Sequence, residues 1–581
     1  MVGNGGGLGG FMRRSTTSTA SGGAAGKDKD KMDLPKLQTR STSTFPPPHK
    51  TQLPMRYQTQ HYQNAGSSAR SPALICKRSA WVVFMLLSFF FVSLYLISLA
   101  RGVQFSSQVS SANRKRYGVV IDAGSSGSRI HIFQYKHGVI PAVDLIGLEQ
   151  LSLKRTPGLS SFADNPSLAG DSLMEQLEFA KTKVPEKERS RTRVYLMATA
   201  GLRRLDKTIQ EAVLDSCRKV LRASSFQFRD EWASVISGTD EGVYAWVSAN
   251  YALGTLQGDP TQTTGIVELG GASAQVTFAP KEPPPPAYRH NLELGGRSYM
   301  LYTYSFLNFG QEAAWDSLLE LITAGGALAT PRPGLKKDIA IDPCTPRGYK
   351  RSIEENARHS ATVSTATHTP VSTVISRGNF SECREAAYSL LQHGHDACAY
   401  PKCAIGNAFI PDIQGRFFAT ENFFYTSEFF KLPATTSLAE IADAGEHYCG
   451  EDWTRLQEKH KSAEEKDLLK YCFSTAYIVA LMHDSLGIGM QDDRVKFTNK
   501  VHNVPLDWAL GALIVKLSED EEQIPHPWLF SAGYVKVLSL LVLMSVGLVV
   551  IWFIARWRRP QVTTIYDLEK GRYITTASRI R

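Results

Sequence analysis

Short apolar runs at Gly118–Asp122, Ile130–Tyr135, Arg193–Ala198 and Gly265–Leu269 have the length and continuity of buried β-strands. Between and after them, Leu173–Lys183, Thr208–Arg222 and Glu241–Leu253 space their apolar residues at helical intervals. From Tyr117 onward this alternation predicts an α/β body. A further helix over Tyr471–Leu486 and an apolar stretch over Leu506–Val515 close it. The Ser-, Thr- and His-rich stretch Ser352–Ser376 reads as a surface loop. Aromatic residues crowd Phe417–Phe430 and fit either a core or a stacking surface.

Two apolar runs are of another kind. Ala80–Ala100 has 21 residues without a charge, and Val537–Ala555 has 19. At about 1.5 Å per helical residue, each reaches across a hydrocarbon core of about 30 Å. Lys77 and Arg78 precede the first, and Arg556, Arg558 and Arg559 follow the second. Basic outer flanks predict an integral membrane protein with two spans and both termini cytoplasmic, so that residues 101–536 face a lumen or the cell exterior. A cleaved signal peptide would begin near the N-terminus, whereas the first run starts at residue 80. The expected order is a disordered basic tail (1–79), a span (80–100), a stalk (101–116), the α/β body, a second span (537–555) and a tail (556–581).

Charge changes the picture only through its distribution. The chain of 581 residues carries a net +10, but residues 1–79 hold +9 and residues 556–581 hold +5, leaving −4 for the rest. The basicity belongs to the tails, so it does not mark a nucleic-acid-binding body. Of eight cysteines, Cys76 falls on the cytoplasmic side, and seven fall where disulfides persist. Cys398–Cys403 is the expected local bridge; Cys344–Cys383 and Cys449–Cys472 are further pairs, which leaves Cys217 as a buried thiol. Their spacing fits no zinc site. Asn379 opens the sequon Asn379-Phe380-Ser381 and is the candidate glycosylation site.

Chemistry enters at two stretches with one plan. "VVIDAGSSGSRIHIF" from Val119 sets an acid and a turn of tiny residues between two strands, and "GIVELGGASAQVTFA" from Gly265 repeats it. Such turns expose backbone N–H groups that cradle phosphate. An acid beside a phosphate site makes sense when a divalent cation, or its water, lies between them. The Walker A pattern is absent.

Five ordered segments then carry a resemblance: "DAGSSGSR" from Asp122, "MATAGLR" from Met197, "ISGTDEGVYAW" from Ile236, "ELGGASAQ" from Glu268 and "YCFSTAYI" from Tyr471. A later "DWALGAL" from Asp507 also fits. Together they resemble the apyrase family of membrane-bound nucleoside triphosphate diphosphohydrolases, in its plant membrane-anchored form above all. The resemblance implies two RNase H-like lobes of the actin and sugar-kinase superfamily with the active site between them. The first lobe would take 117–237 with a returning segment 498–520, and the second 238–497.

The resemblance further implies direct attack of water on the terminal phosphate of a nucleoside tri- or diphosphate, with Ca²⁺ or Mg²⁺ required. Glu241 matches the catalytic base, with Asp240 as its neighbouring rival. Ser273 and Gln275 match residues that orient the water, and Asp122 and Glu268 match the acids on the metal side. Ser125, Ser126, Gly127, Ser128 and Arg129 match the first phosphate loop, and Gly270, Gly271 and Ala272 the second. Thr199, Ala200, Gly201 and Arg203 match a further phosphate-contacting segment. Phe424 or Tyr425 would stack the base, and Trp508 resembles a tryptophan near the metal. Glu268 departs from the family's usual Asp, which implies a shifted water or backbone.

Rival readings are an inactive nucleotide-binding or adhesion ectodomain, and a kinase or ATPase switch of the same superfamily. Intact Glu241, Ser273 and Gln275 disfavour the first, and a membrane-anchored body disfavours the second. Spans of this length suit secretory membranes such as the Golgi slightly better than the plasma membrane. Oligomeric state is not legible.

Overall fold

The computed structural model describes residues 84–85, 87–96, 114–323, 339–351, 373–392, 398–400, 403–521, 532–557 and 561–578. The tail 1–79 with Cys76, most of the stalk, and 352–372 of the expected loop lie outside the described residues. The last four residues of that loop, Thr373–Ser376, form a strand paired in parallel with Ile339–Asp342. The β-branched Thr373, Val374 and Ile375 suit that role; composition alone hid it.

The first sheet holds β1 (Arg116–Ala123), β2 (Ser128–Lys136), β3 (Ala142–Val143), β4 (Ser152–Arg155), β5 (Arg193–Ala198) and β6 (Ala233–Val235), in the order β3-β2-β1-β5-β6 with β4 also on β2. The second holds β7 (Gly265–Leu269), β8 (Ser273–Phe278), β9 (Arg289–Leu294), β10 (Arg297–Leu307), β11 (Phe417–Glu421) and β12 (Val495–Phe497), in the order β12-β11-β7-β8-β10-β9. The two orders repeat one plan. Each begins with an antiparallel hairpin, β1–β2 or β7–β8, and two parallel strands extend the sheet on the side of the hairpin's first strand.

Helix α1 (Gly238–Leu253) and helix α2 (Trp508–Glu521) share one apolar core with both sheets: Val120 and Tyr195 come from the first, Trp246 and Leu513 from the helices, and Ile266 and Leu301 from the second. Their closeness depends on glycine. A Cβ on Gly511 would stand 1.9 Å from the backbone oxygen of Tyr244, and one on Gly242 would stand 2.5 Å from Thr277 Oγ1. Ser248 Oγ donates to the Asp507 carbonyl, 2.6 Å away, and ties the two helices where α2 begins. Phe417–Phe430 resolves into β11 followed by the helix Asn422–Phe429.

Three disulfides form as expected, Cys344–Cys383, Cys398–Cys403 and Cys449–Cys472, and Cys217 is a buried free thiol. Burial pushes that thiol's pKa up to about 12. Asn379 caps the helix Phe380–Leu391 by accepting from the Glu382 N–H, 2.9 Å away.

Both apolar runs are helical where described, over 84–85, 87–96 and Ala532–Trp557. Phe84 and Phe553 meet with ring centroids 5.5 Å apart. Phe89, Leu540 and Ile551 are more than half exposed. Among the residues described to the side chain, which in the later helix are 539–555, no helix is long and apolar enough to cross a membrane. Beyond it, Gln561–Asp567 and Arg572–Ser578 pair as an antiparallel hairpin.

Candidate active site

The two hairpins place their acids at equivalent points. Asp122 stands one residue before the end of β1, opposite Arg129, and Glu268 stands one residue before the end of β7, opposite Gln275. The tiny residues between the strands let the two turns meet. A Cβ on Gly271 would lie 2.8 Å from Ser125 Oγ, and one on Gly201 would lie 2.8 Å from Ser125 Cα. Ser125, Ser126, Gly201, Gly271 and Ala272 therefore line one cavity, of about 670 Å³. Gly127, Ser128 and Gly270 shape the turns: Gly270 donates to the Ser273 carbonyl at 3.0 Å, and Ser128 is buried at the start of β2. Thr199 and Ala200 are buried beneath them, Thr199 donating its N–H to the Ala123 carbonyl.

Glu241 and Asp240 have separate roles, fixed by the start of α1. Asp240 completes a capping box with Ser237, accepting from its hydroxyl at 2.7 Å. Glu241, one residue on, is buried and turned toward the hairpins, where Arg203 Nη2 donates to it at 2.5 Å. The same nitrogen lies 3.4 Å from Ser273 Oγ. Gln275 Nε2 donates to Ser273 Oγ at 2.8 Å and to Ser305 Oγ at 3.2 Å. Ser273 and Gln275 share a face of β8 because they are two residues apart. Arg203, expected on phosphate, is thus placed against the carboxylate expected to act as base.

Five carboxylates influence one another here. Burial raises Asp122 well above the usual carboxylate range, and the charges of Asp507 and Glu241 add to it, against Arg129. Burial likewise raises Glu268, with Glu241, Glu421, Asp507 and Asp122 adding to it. Burial raises Glu241 against the pull of Arg203. Glu421 is raised by burial and by Asp507, against Arg129 and Lys154. Asp507 alone is lowered: burial works against its charge, but His131, Arg129 and the Ala509 N–H outweigh it. His131 Nε2 is 3.1 Å and Arg129 Nη1 3.4 Å from its Oδ2.

Such an acid-rich, buried site fits a bound cation. Asp122 Oδ1 and Glu268 Oε2 are buried and accept no hydrogen bond among the described residues. No three His, Cys, Asp or Glu side chains among the described residues form a direct metal-ligand group. The arrangement suits a cation completed by water and phosphate oxygens rather than one caged by protein.

Asp507, His131, Glu421 and Ser305 were not singled out by the sequence. Asp507 carried a signal, an Asp directly before an apolar helical run, and it does cap α2. Glu421 carried none: its φ of 59° places a non-glycine residue in the left-handed half of the map, where its N–H is held by Asn499 Oδ1. Trp508 is buried against Tyr244, at 6.4 Å between centroids. Phe424 and Tyr425 lie on the helix after β11; Tyr425 is 41% exposed, and neither lines the cavity.

Residues 108–526 match the model of the GDA1/CD39 (nucleoside phosphatase) family. The chain is 45% identical over 542 residues to "Probable apyrase 6" of Arabidopsis thaliana, covering 90% of this chain and 96% of that one. It is 29% identical over 469 residues to ectonucleoside triphosphate diphosphohydrolase 1 of Rattus norvegicus, covering 75% and 88%. A crystal structure of nucleoside triphosphate hydrolases from Neospora caninum shares the fold at a TM-score of 0.52 and 17% identity, over 76% of this chain and 99% of that one.

Proposed function

The chain belongs to the GDA1/CD39 nucleoside phosphatase family, and we propose that its cleft hydrolyses nucleoside tri- and diphosphates by attack of a water deprotonated by Glu241. It is a phosphohydrolase of the apyrase kind, and the repeated hairpin-plus-parallel-strand plan supports reading its sheets as two RNase H-like lobes. The observation that carries the mechanism is the convergence of Glu241, Ser273 and Gln275 between two equivalent acid-bearing hairpins.

Glu241 accepts the proton of the attacking water, and Ser273 Oγ with the Gln275 amide orients that water toward phosphorus. Arg203 favours the ionised form of this buried carboxylate against its burial. Backbone N–H groups of the two turns, with the hydroxyls of Ser125 and Ser126, hold the phosphate oxygens. Asp122 and Glu268 would hold a divalent cation, Ca²⁺ or Mg²⁺, which when bound neutralises phosphate charge and polarises the phosphoryl group. Tyr425, beside Arg129, remains the candidate aromatic contact outside the cavity.

The test is phosphate release by the purified full chain on a panel of nucleotides, with and without divalent cation. Glu241→Gln should lower kcat by at least about 100-fold while nucleotide binding persists; full activity in that variant removes Glu241 from this role.

We read the protein as anchored by its two apolar helices, with both ends cytoplasmic and the catalytic body lumenal or extracellular. The exposed apolar side chains of those helices, their basic outer flanks and the three disulfides support this. Protease protection of tags at each terminus in sealed vesicles tests it.

A further inference from the structure

The cavity between the hairpin turns runs on to Lys466, Asp467 and Lys470 of the second half of the chain. Its volume, about 670 Å³, is that of a small-molecule site. A nucleotide whose phosphates engage the turns would leave its base at this far end. Among the described residues lining the cavity none is aromatic, so within it the polar edge of the base meets polar and charged side chains.

The charged groups at that end are not equivalent. Lys470 is committed to Glu312 by an ion pair. Lys466 reaches Glu464, with both side chains 69% exposed, so that pair is loose and readily exchanged. Asp467 is half-buried; its carboxylate accepts no hydrogen bond among the described residues, and Lys466 and Lys470 act on it through their charge alone. A carboxylate accepts and never donates when ionised, and it takes two parallel donors best. Among the common bases, guanine presents two adjacent N–H donors, at N1 and N2, beside the acceptor O6. Adenine offers one amino donor next to the acceptor N1, whose lone pair would face the carboxylate.

We propose that Asp467 is a specificity-determining residue that accepts from N1–H and N2–H of guanine, with Lys466 placed to donate to O6, so that guanosine phosphates are preferred over adenosine phosphates. The proposal rests on nucleotide hydrolysis in this cleft.

The experiment compares kcat/KM of the purified full chain for GTP and GDP against ATP and ADP. A bidentate contact of this kind predicts a guanine preference of about tenfold, expressed in KM. Asp467→Ala should bring the ratio to within about twofold with an unchanged melting temperature, and Asp467→Glu, which keeps the carboxylate, should retain a guanine preference. A ratio near one in the unaltered protein would overturn the proposal. So would a ratio that survives Asp467→Ala, or an equal loss of kcat on both bases in that variant. Absence of hydrolysis of every nucleotide would instead remove the reading on which the proposal rests, and the proposal with it.

Discussion

Replacing Arg203 with Met separates two roles that the sequence alone does not. The pair Arg203–Glu241 is no surface ion pair: the side chains are 14% and 9% exposed. With charge centres about 4 Å apart, their interaction is about 4 kcal/mol at an effective dielectric near 20, and an adjacent arginine commonly lowers a carboxyl pKa by about 1–3 units. Burial raises Glu241 from its ordinary value, and Arg203 pulls against that rise. In the proposed role Glu241 works ionised, so kcat/KM falls as pH falls through its pKa. Removing Arg203 raises that pKa and moves the acid limb of the profile to higher pH, by about 1–3 units. Arg203→Lys keeps the charge and should keep most of the limb in place. The assay is the pH profile of kcat/KM on one nucleotide with saturating divalent cation. If Arg203→Met instead lowers kcat/KM by one factor at every pH and leaves the limb where it was, Arg203 acts on phosphate and not through Glu241.

Chelation of divalent cations should abolish phosphate release and lower the melting temperature. Cation at 100-fold over its Kd stabilises by about 2.7 kcal/mol. The melting shift should vanish in Asp122→Asn/Glu268→Gln, and an undiminished shift there would move the cation elsewhere. Gly511→Ala puts a methyl 1.9 Å from the Tyr244 carbonyl oxygen; since backbone cannot swing aside, it should cost at least the 1–3 kcal/mol typical of overpacking, about that much in urea denaturation. A change under about 0.5 kcal/mol would mean that α1 and α2 are not held at this spacing.

Much of this was legible because the informative signals are local. The strands at Gly118–Asp122 and Gly265–Leu269, the helix after Lys207 and the tiny-residue turns are all set within a few residues of themselves. Choosing Glu241 over Asp240 as base rested on the resemblance; the structure adds that Asp240, three residues after Ser237, completes the helix cap. The partner of Arg203 was not legible, because Glu241 lies 38 residues away and only the docking of α1 brings it there. Asp507 joins Arg129 across 378 residues, beyond any periodicity. Thr373–Ser376 became a strand because Ile339–Asp342 lies alongside it, a tertiary choice that local composition opposed.

The repeated plan of the sheets also exposes where the two halves differ. At the cross-strand position opposite the acid, the first hairpin offers a cation, Arg129, and the second an amide, Gln275. Asp122 therefore has a built-in positive neighbour that pulls against its burial. For Glu268 the chief influences, burial and four other acids, all act against its ionised form. The first acid is partly compensated by the protein, whereas the second has its compensation still to come. In the proposed role, a bound cation would therefore relieve Glu268 more than Asp122. The residue that departs from the family's usual Asp is thus the acid that, in the proposed clamp, would depend most on the cation.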